Sequence, residues 1–150
     1  MLATRLAAAT FAAALSIAAP PSALAQSSGI IGIWWTDKNK GRVEIVKCTL
    51  PTPGVCGRIV WINEPNDAQG RPQTDKLNKD PRLKGRPIIG MPLFDGWREA
   101  GPNAWQGKVY DPEEGEIYDI DITLQGENLT LKGCFLFICD SNTWVRYRDQ

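Results

Sequence analysis

The sequence predicts an all-β protein, an antiparallel meander that closes into a small barrel of about eight strands and carries one long polar loop. Three observations predict it. Tyr118, Ile120, Ile122 and Leu124 alternate with Asp119, Asp121 and Thr123, the period-two pattern of a strand with one dry and one wet face. Turn signals rich in Pro, Gly, Asn and Asp recur between short runs bearing Val, Ile and Trp. No helix-period segment of useful length follows the first 25 residues.

The elements follow in order. Short apolar or alternating runs at 30–35, 42–48, 55–62, 86–94, 108–110, 116–124, 129–133 and 143–148 read as strands. The second and third form a hairpin around Thr49-Leu50-Pro51-Thr52-Pro53-Gly54. Asp111-Pro112-Glu113-Glu114-Gly115 turns the fifth strand into the sixth, and Gln125-Gly126-Glu127-Asn128 turns the sixth into the seventh. Neighbouring runs are joined by short turns, which favours a meandering barrel over a sandwich. Residues 63–85 are the exception. They are polar, carry Pro65, Pro72 and Pro81, and show no alternation. A loop this long in a small domain is usually functional or disordered. The bland expectation is a solvated surface loop. The sharper one is an arm beside the barrel mouth, anchored by Leu77 and Leu83.

The first 25 residues read as a secretory leader. Arg5 gives the positive start, residues 6–19 are uncharged and alanine-rich, and Pro20 and Pro21 break any helix. Ala23-Leu24-Ala25 is the small-x-small pattern of a cleavage site, placed before Gln26. The alternative is a retained anchor, but the apolar run is shorter than the ~20 residues that span a bilayer. No Cys follows the cleavage site to carry a lipid. Residues 26–150 are expected to form one barrel domain outside the cytoplasm, not an integral membrane protein. Losing Arg5 leaves 16 basic and 17 acidic side chains, so no strong field draws the chain to nucleic acid.

Cys48, Cys56, Cys134 and Cys139 all lie beyond the leader. An even count in an exported chain implies disulfides, and four cysteines allow three connectivities. Cys48–Cys56 and Cys134–Cys139 are favoured. The first pair flanks a turn. The second pair needs the chain to reverse, because five extended residues span about 16 Å while a disulfide holds Cα atoms roughly 4.4 to 6.8 Å apart. Residues 135–138 must therefore curl.

The chemistry is narrowed by absence. There is no His, which removes the commonest general base and zinc ligand. Ser27, Ser28 and Ser141 have no His to activate them. Paired cysteines offer no thiolate. Asp111, Glu113, Glu114, Glu116, Asp119 and Asp121 crowd into eleven residues. Two of them could flank a glycosidic bond, or several could hold calcium. Acidic residues in a turn and on a wet strand face are most often just solvated, and that is the favoured explanation. No catalytic residue, metal or cofactor is assigned. Six Trp are spread along the chain, which fits core packing, or the lining of a barrel cavity, better than a nucleic-acid stacking platform.

Gly32-Ile33-Trp34 in the first strand and Trp144-Val145-Arg146 in the last are similar to the lipocalin or calycin arrangement. There an early Gly-x-Trp packs under an Arg from the end of the barrel. A wider set of motifs occurs in order along nearly the whole exported chain. It comprises Val43-Glu44-Ile45 with Cys48, Cys56 to Trp61, Asp75-Lys76-Leu77-Asn78, Gly85 to Gly90, Trp105 to Pro112, Gly115 to Tyr118 and Leu129 to Gly133. This set resembles the small exported bacterial proteins grouped as domain of unknown function 2147. Lys108 departs from that pattern, where a Gly-Gly pair is commoner, so a bulge or close backbone approach there is open. The resemblance implies a lipocalin-like barrel, a periplasmic or secreted location, and structural roles for Trp34, Trp144 and Arg146. Trp61, Asp75, Asn78, Tyr110 and Tyr118 are the candidate ligand-binding residues.

Three functions are compatible with this reading. The first is a module binding a small apolar or amphipathic envelope molecule inside a hollow barrel, a reading that a barrel packed solid would sink. The second is a non-catalytic interaction or structural protein of the envelope with a filled barrel. The third, ranked last, is a carboxylate enzyme, which needs two convergent carboxyls in a cleft.

Overall fold

A computed structural model describes residues 29–135 and 137–149. The expected leader and its cleavage site lie outside the described residues. Eight strands follow one another as β1 (Gly32–Trp35), β2 (Gly41–Lys47), β3 (Val55–Ile62), β4 (Pro92–Gly101), β5 (Ala104–Asp111), β6 (Glu116–Gln125), β7 (Asn128–Phe135) and β8 (Ile138–Arg146). Each pairs with the next, and β8 returns to β1, giving a closed antiparallel barrel. In a meander, successive turns alternate ends. The connections 36–40, 63–91, 112–115 and 136–137 therefore share one end. The turns 48–54, 102–103 and 126–127 share the other.

Three strands differ from the expected spans. The predicted strand at 86–94 is instead Pro92–Gly101. Arg86 to Ile88 is apolar enough to read as a strand, but its backbone bonds to the long loop, with Ile88 N–H donating to the Gln73 carbonyl. Gly96 and Gly101 take φ of 83° and 148°, so true β4 carries glycine kinks that erase its alternation. β5 begins four residues before the expected start at 108, because Gly107 occupies an inward position where an apolar side chain is looked for. β8 runs Ile138–Arg146 rather than 143–148. Its first six residues are exposed on both faces and have no apolar period to show.

The barrel interior is filled. Phe94 and Trp97 stack face to face with centroids 3.4 Å apart, and Trp97 lies 6.4 Å from Trp144. Ile45, Ile122 and Leu129 are fully buried around them, with Trp105 almost so. Two strand glycines make this possible. A Cβ on Gly57 would collide with the Phe94 ring, and one on Gly107 with the Trp97 indole. Trp97 Nε1–H is satisfied by the Lys108 carbonyl at 2.9 Å. The close backbone approach left open at Lys108 is thus real, but it needs only Gly107. Lys108 itself points outward to Asp119 at 2.7 Å, and β5 and β6 pair there without a bulge.

One end is closed as the Gly-x-Trp motif implied. Trp34 is fully buried, and the Arg146 guanidinium lies 4.2 Å over its ring. Arg146 also donates to the carbonyls of Ile31, at 3.1 Å, and Gly29. Gly32 has φ 135°, and a Cβ there would press on Arg146. That is the physical reason for the glycine.

Both disulfides are formed. Cys48–Cys56 ties the β2–β3 hairpin with Cα atoms 5.0 Å apart. Cys134 faces Cys139 across the β7–β8 hairpin. The required reversal is therefore a tight hairpin between Phe135 and Ile138.

Replacing Gly107 by Val is expected to destabilise the fold by about 3 kcal/mol, because the indole has no space to yield. Gly85→Ala, where nothing lies within reach of the new Cβ, serves as control. Urea unfolding of both variants under oxidising conditions measures the difference.

Candidate functional site

The long connection between β3 and β4 is not a loose loop. Its backbone folds back on itself, with bridges at Asn66↔Pro72 and Thr74↔Pro87, and Asp75 N–H donates to the Arg86 carbonyl at 3.0 Å. Asp67 accepts from the amides of Gln69 and Arg71 and pairs with the Arg71 side chain. These contacts supply the satisfied backbone groups that a polar, proline-rich segment needs.

Met91 and Ile88 pack the end of this arm on the core, and what holds its middle to the barrel is polar. Asp75 is fully buried although it is a carboxylate. Its Oδ1 accepts from Tyr110 Oη–H at 2.6 Å. Its Oδ2 accepts from Asn78 Nδ2 at 2.7 Å and from Arg86 at 2.8 and 2.9 Å. Four donor contacts replace the water that burial removes, the condition under which a buried charge is tolerated. Asn78 Oδ1 then accepts the Asp80 amide. Burial, and after it the Asp75 carboxylate, pushes the Tyr110 hydroxyl up to about 12. Two further contacts complete the clamp. Lys79 meets Glu116 at 2.6 Å, and Gly115 leaves room for the backbone of Leu77.

The expected apolar anchors are corrected by this arrangement. Leu77 is 56 % exposed and Leu83 is 37 % exposed, so neither holds the arm. Ionic and hydrogen-bonding groups do it, Asp75 with Tyr110 and Arg86, and Lys79 with Glu116.

Clamping the arm leaves an open groove of about 400 Å³, lined by Asn78, Lys79, Leu83, Arg86, Tyr110 and Ile117 among others. It lies outside the filled barrel. The Arg86 guanidinium sits 5.6 Å over the Tyr110 ring on its wall. Sequence reasoning named Asn78 and Tyr110 here, and Asp75 behind them. Lys79, Arg86, Glu116 and Ile117 were not among its ligand-binding candidates. Glu116 was named as one of the clustered acids, Arg86 and Ile117 stood within motifs that carried the resemblance, and Lys79 only follows the Asp75–Asn78 motif.

The other candidates lie elsewhere. Tyr118 bonds Glu114, which raises its hydroxyl to about 12. Trp61 packs edge-on against Trp35 at 5.4 Å. Both rings flank the guanidinium of Arg42, at 4.4 and 4.7 Å, with Tyr147 at 4.2 Å. β1 residue Trp35 pairs with Arg42, which pairs with Trp61, so this cluster is a cross-strand clamp beside, not within, the groove.

Most of the acidic residues are taken up by partners. Glu113 pairs with Lys40 at 3.0 Å, Glu116 with Lys79, Asp119 with Lys108, and Asp121 with Gln106 at 2.9 Å. Asp111 and Glu116 are partly buried, and the Asp111 carboxyl is raised by desolvation and then by the neighbouring Glu114 and Glu113. Among the described residues, Cys48, Cys56 and Asp95 cluster closely enough to suit a metal. Their sulfurs are bonded to each other, which leaves Asp95 alone. No helix among the described residues is long and apolar enough to cross a membrane.

Comparison with known proteins agrees with this geometry. Residues 32–146 match the family model described as "Uncharacterized protein conserved in bacteria (DUF2147)". The chain belongs to that family. In structure the protein is similar to HP1028 from Helicobacter pylori, whose description places that protein in the lipocalin family. The TM-score is 0.66 at 19 % identity, over 80 % of this chain and 84 % of the other. At that identity the likeness shows the fold, an eight-stranded lipocalin-like barrel. No curated protein matches this DUF2147 chain in sequence.

Two outcomes follow. Asp75→Ala should cost about 3 to 5 kcal/mol of stability by stranding Arg86 and Tyr110, whereas Leu77→Ala should change it by no more than about 0.5 kcal/mol. Thermal and urea unfolding of the two variants compare these directly.

The second outcome concerns alkali. The Tyr110 hydroxyl is raised from 10.0 to about 12 on folding, so the folded state holds its proton more tightly. The stability this contributes is complete below pH 10 and is lost as pH rises towards 12. In Tyr110→Phe that part of the decline should vanish, as read from urea midpoints across this range.

Proposed function

We propose that this protein is a non-enzymatic binding module of the bacterial envelope that holds a small amphipathic molecule in the groove between its arm and the β5–β6 hairpin. The observation carrying this is the groove itself, an open volume of about 400 Å³ beside a barrel whose centre is occupied by Phe94, Trp97 and Trp144. A ligand inside the barrel, the form in which the sequence first suggested binding, would have to displace this aromatic stack, which favours the groove. The position of the groove supports the reading, since ligand sites recur at the mouths of β-barrels and this one lies at the end that carries the arm. Two disulfides fit an oxidising compartment outside the cytoplasm, and the leader-like residues 1–25 agree with export.

The groove offers two chemistries. Leu83, Tyr110 and Ile117 give it an apolar floor and wall. Lys79, Arg86 and Glu116 give it a charged rim. An apolar body with a hydrogen-bonding head satisfies both. Because Arg86 and Lys79 already have acidic partners, the head must be polar rather than strongly anionic. Pairing of most carboxylates with Lys and Gln side chains favours binding over the enzyme reading.

Native mass spectrometry of protein purified from the periplasm of its own cells tests this. A bound small molecule is expected in the wild type and is expected to be lost in Ile117→Asp. Ile117 is 63 % exposed, so that variant should keep the wild-type melting temperature. A ligand retained by Ile117→Asp but lost on enlarging the interior with Trp97→Phe would place it in the barrel and defeat the groove.

A further inference from the structure

The β7–β8 hairpin outgrows the barrel. β7 pairs with β6 only as far as Gly133↔Ile120, and β8 pairs with β1 only at Val145 and Arg146. Past Gly133 and Asp140 the hairpin has no strand on either side and stands as a two-stranded ribbon. Such ribbons are marginal in water. Here Cys134–Cys139 staples the ribbon where neighbours end.

The sequence at the crest of this ribbon is apolar. Between the two cysteines stand Phe135, Leu136, Phe137 and Ile138. Phe137 is 99 % exposed and Ile138 79 %. The first charges along the chain, Lys132 and Asp140, lie below the staple. The connections 63–91 and 136–137 share one end of the barrel, so the crest projects from the end that carries the arm and its groove. Gly29, where the described chain begins, sits at the opposite end beside Arg146.

We propose that this crest docks the protein on a phospholipid bilayer by inserting Phe137 and Ile138 into the interfacial region. Three features choose lipid over a protein partner. The patch is a convex tip of a few side chains, far below the ~800 Å² per partner of a stable protein interface, whereas shallow insertion into lipid needs only a few apolar groups. The inward-facing backbone groups of the crest are already paired, Phe135 with Ile138 and Cys134 with Cys139, which lowers the polar cost of a shallow insertion that keeps the outer edges in the headgroup layer. The unpaired outer edge of β8 and the charges below the staple then stop insertion at the crest. Docking in this pose turns the groove end of the barrel toward the membrane. It depends on no residue of the groove, so it stands or falls separately from the ligand.

Co-sedimentation of the full exported chain, disulfides intact, with phosphatidylethanolamine–phosphatidylglycerol vesicles tests the proposal. The wild type should pellet with vesicles and persist in high salt, because the contact is apolar. The double variant Phe137→Ser with Ile138→Ser should bind about tenfold or more weakly at an unchanged melting temperature. Leu50→Ser, at the opposite end and 93 % exposed, should bind as the wild type does. A Phe137→Trp variant should show a blue-shifted emission on vesicles. The proposal is overturned if the wild type stays in the supernatant, if the double variant binds equally well, or if salt releases it. It is also overturned if sedimentation velocity shows a wild-type dimer that the double variant converts to monomer, since a second copy then covers the crest.

Discussion

The fit of two aromatic rings against two missing side chains governs this molecule. Phe94 and Trp97 stack at the centre of the barrel because Gly57 and Gly107 present bare backbone to them. An indole buries roughly 150 to 250 Å², and a small eight-stranded barrel has space for side chains or for one ligand, not both. Once the stack is in place, the interior is spent as a binding site. Any recognition must then be built on the rim, from the connections at one end and from the hairpin that extends past the wall.

The rim is organised by a second constraint, the buried carboxylate of Asp75. The middle of the long connection has little apolar burial to dock by, since Leu77 and Leu83 point to water and only Ile88 and Met91 at its end reach the core. A buried charge docks it instead, because Asp75 is tolerated only while Tyr110, Asn78 and Arg86 all reach it. This requirement fixes the arm in one position and with it the groove wall. A rigid, preorganised groove loses little entropy when a ligand enters. The same logic explains the Cys134–Cys139 staple, which holds a ribbon that has no neighbouring strand to support it.

Much of the fold was legible in the sequence, and the reasons are local. β6 announces itself because Ile120 and Ile122 face the core while Asp119 and Asp121 face water. Gly32 and Trp34 mark the closed end because Arg146 must lie where a side chain at 32 would be. β4 and β5 were misplaced because glycines stand at positions where alternation expects bulk: Gly107 admits the Trp97 ring of neighbouring β4, and Gly96 lies against Thr52 and Pro53 of the β2–β3 turn. The start of β8 was missed because both its faces are wet. In the site, Asp75 and Asn78 stood out as polar residues that turn chemistry did not explain. Their true partner Arg86 lay in a run that reads as a strand. Its pairing with Asp75 is a long-range fact that no local pattern encodes, and the exposure of Leu77 and Leu83 is equally invisible without the fold.

The account rests on a filled, closed barrel, and Trp97 reports on it most directly. Its indole N–H donates to the Lys108 carbonyl at 2.9 Å, with the ring fully buried. Hydrogen exchange of the six indole N–H groups, followed by NMR in deuterated water, isolates this proton. It should exchange only through global unfolding, as slowly as the most protected strand amides, and its resonance should not move when an amphipathic probe fills the groove. Exchange within minutes, or a large shift of the Trp97 signal on adding the probe, would show an interior open to solvent or ligand and would contradict the account.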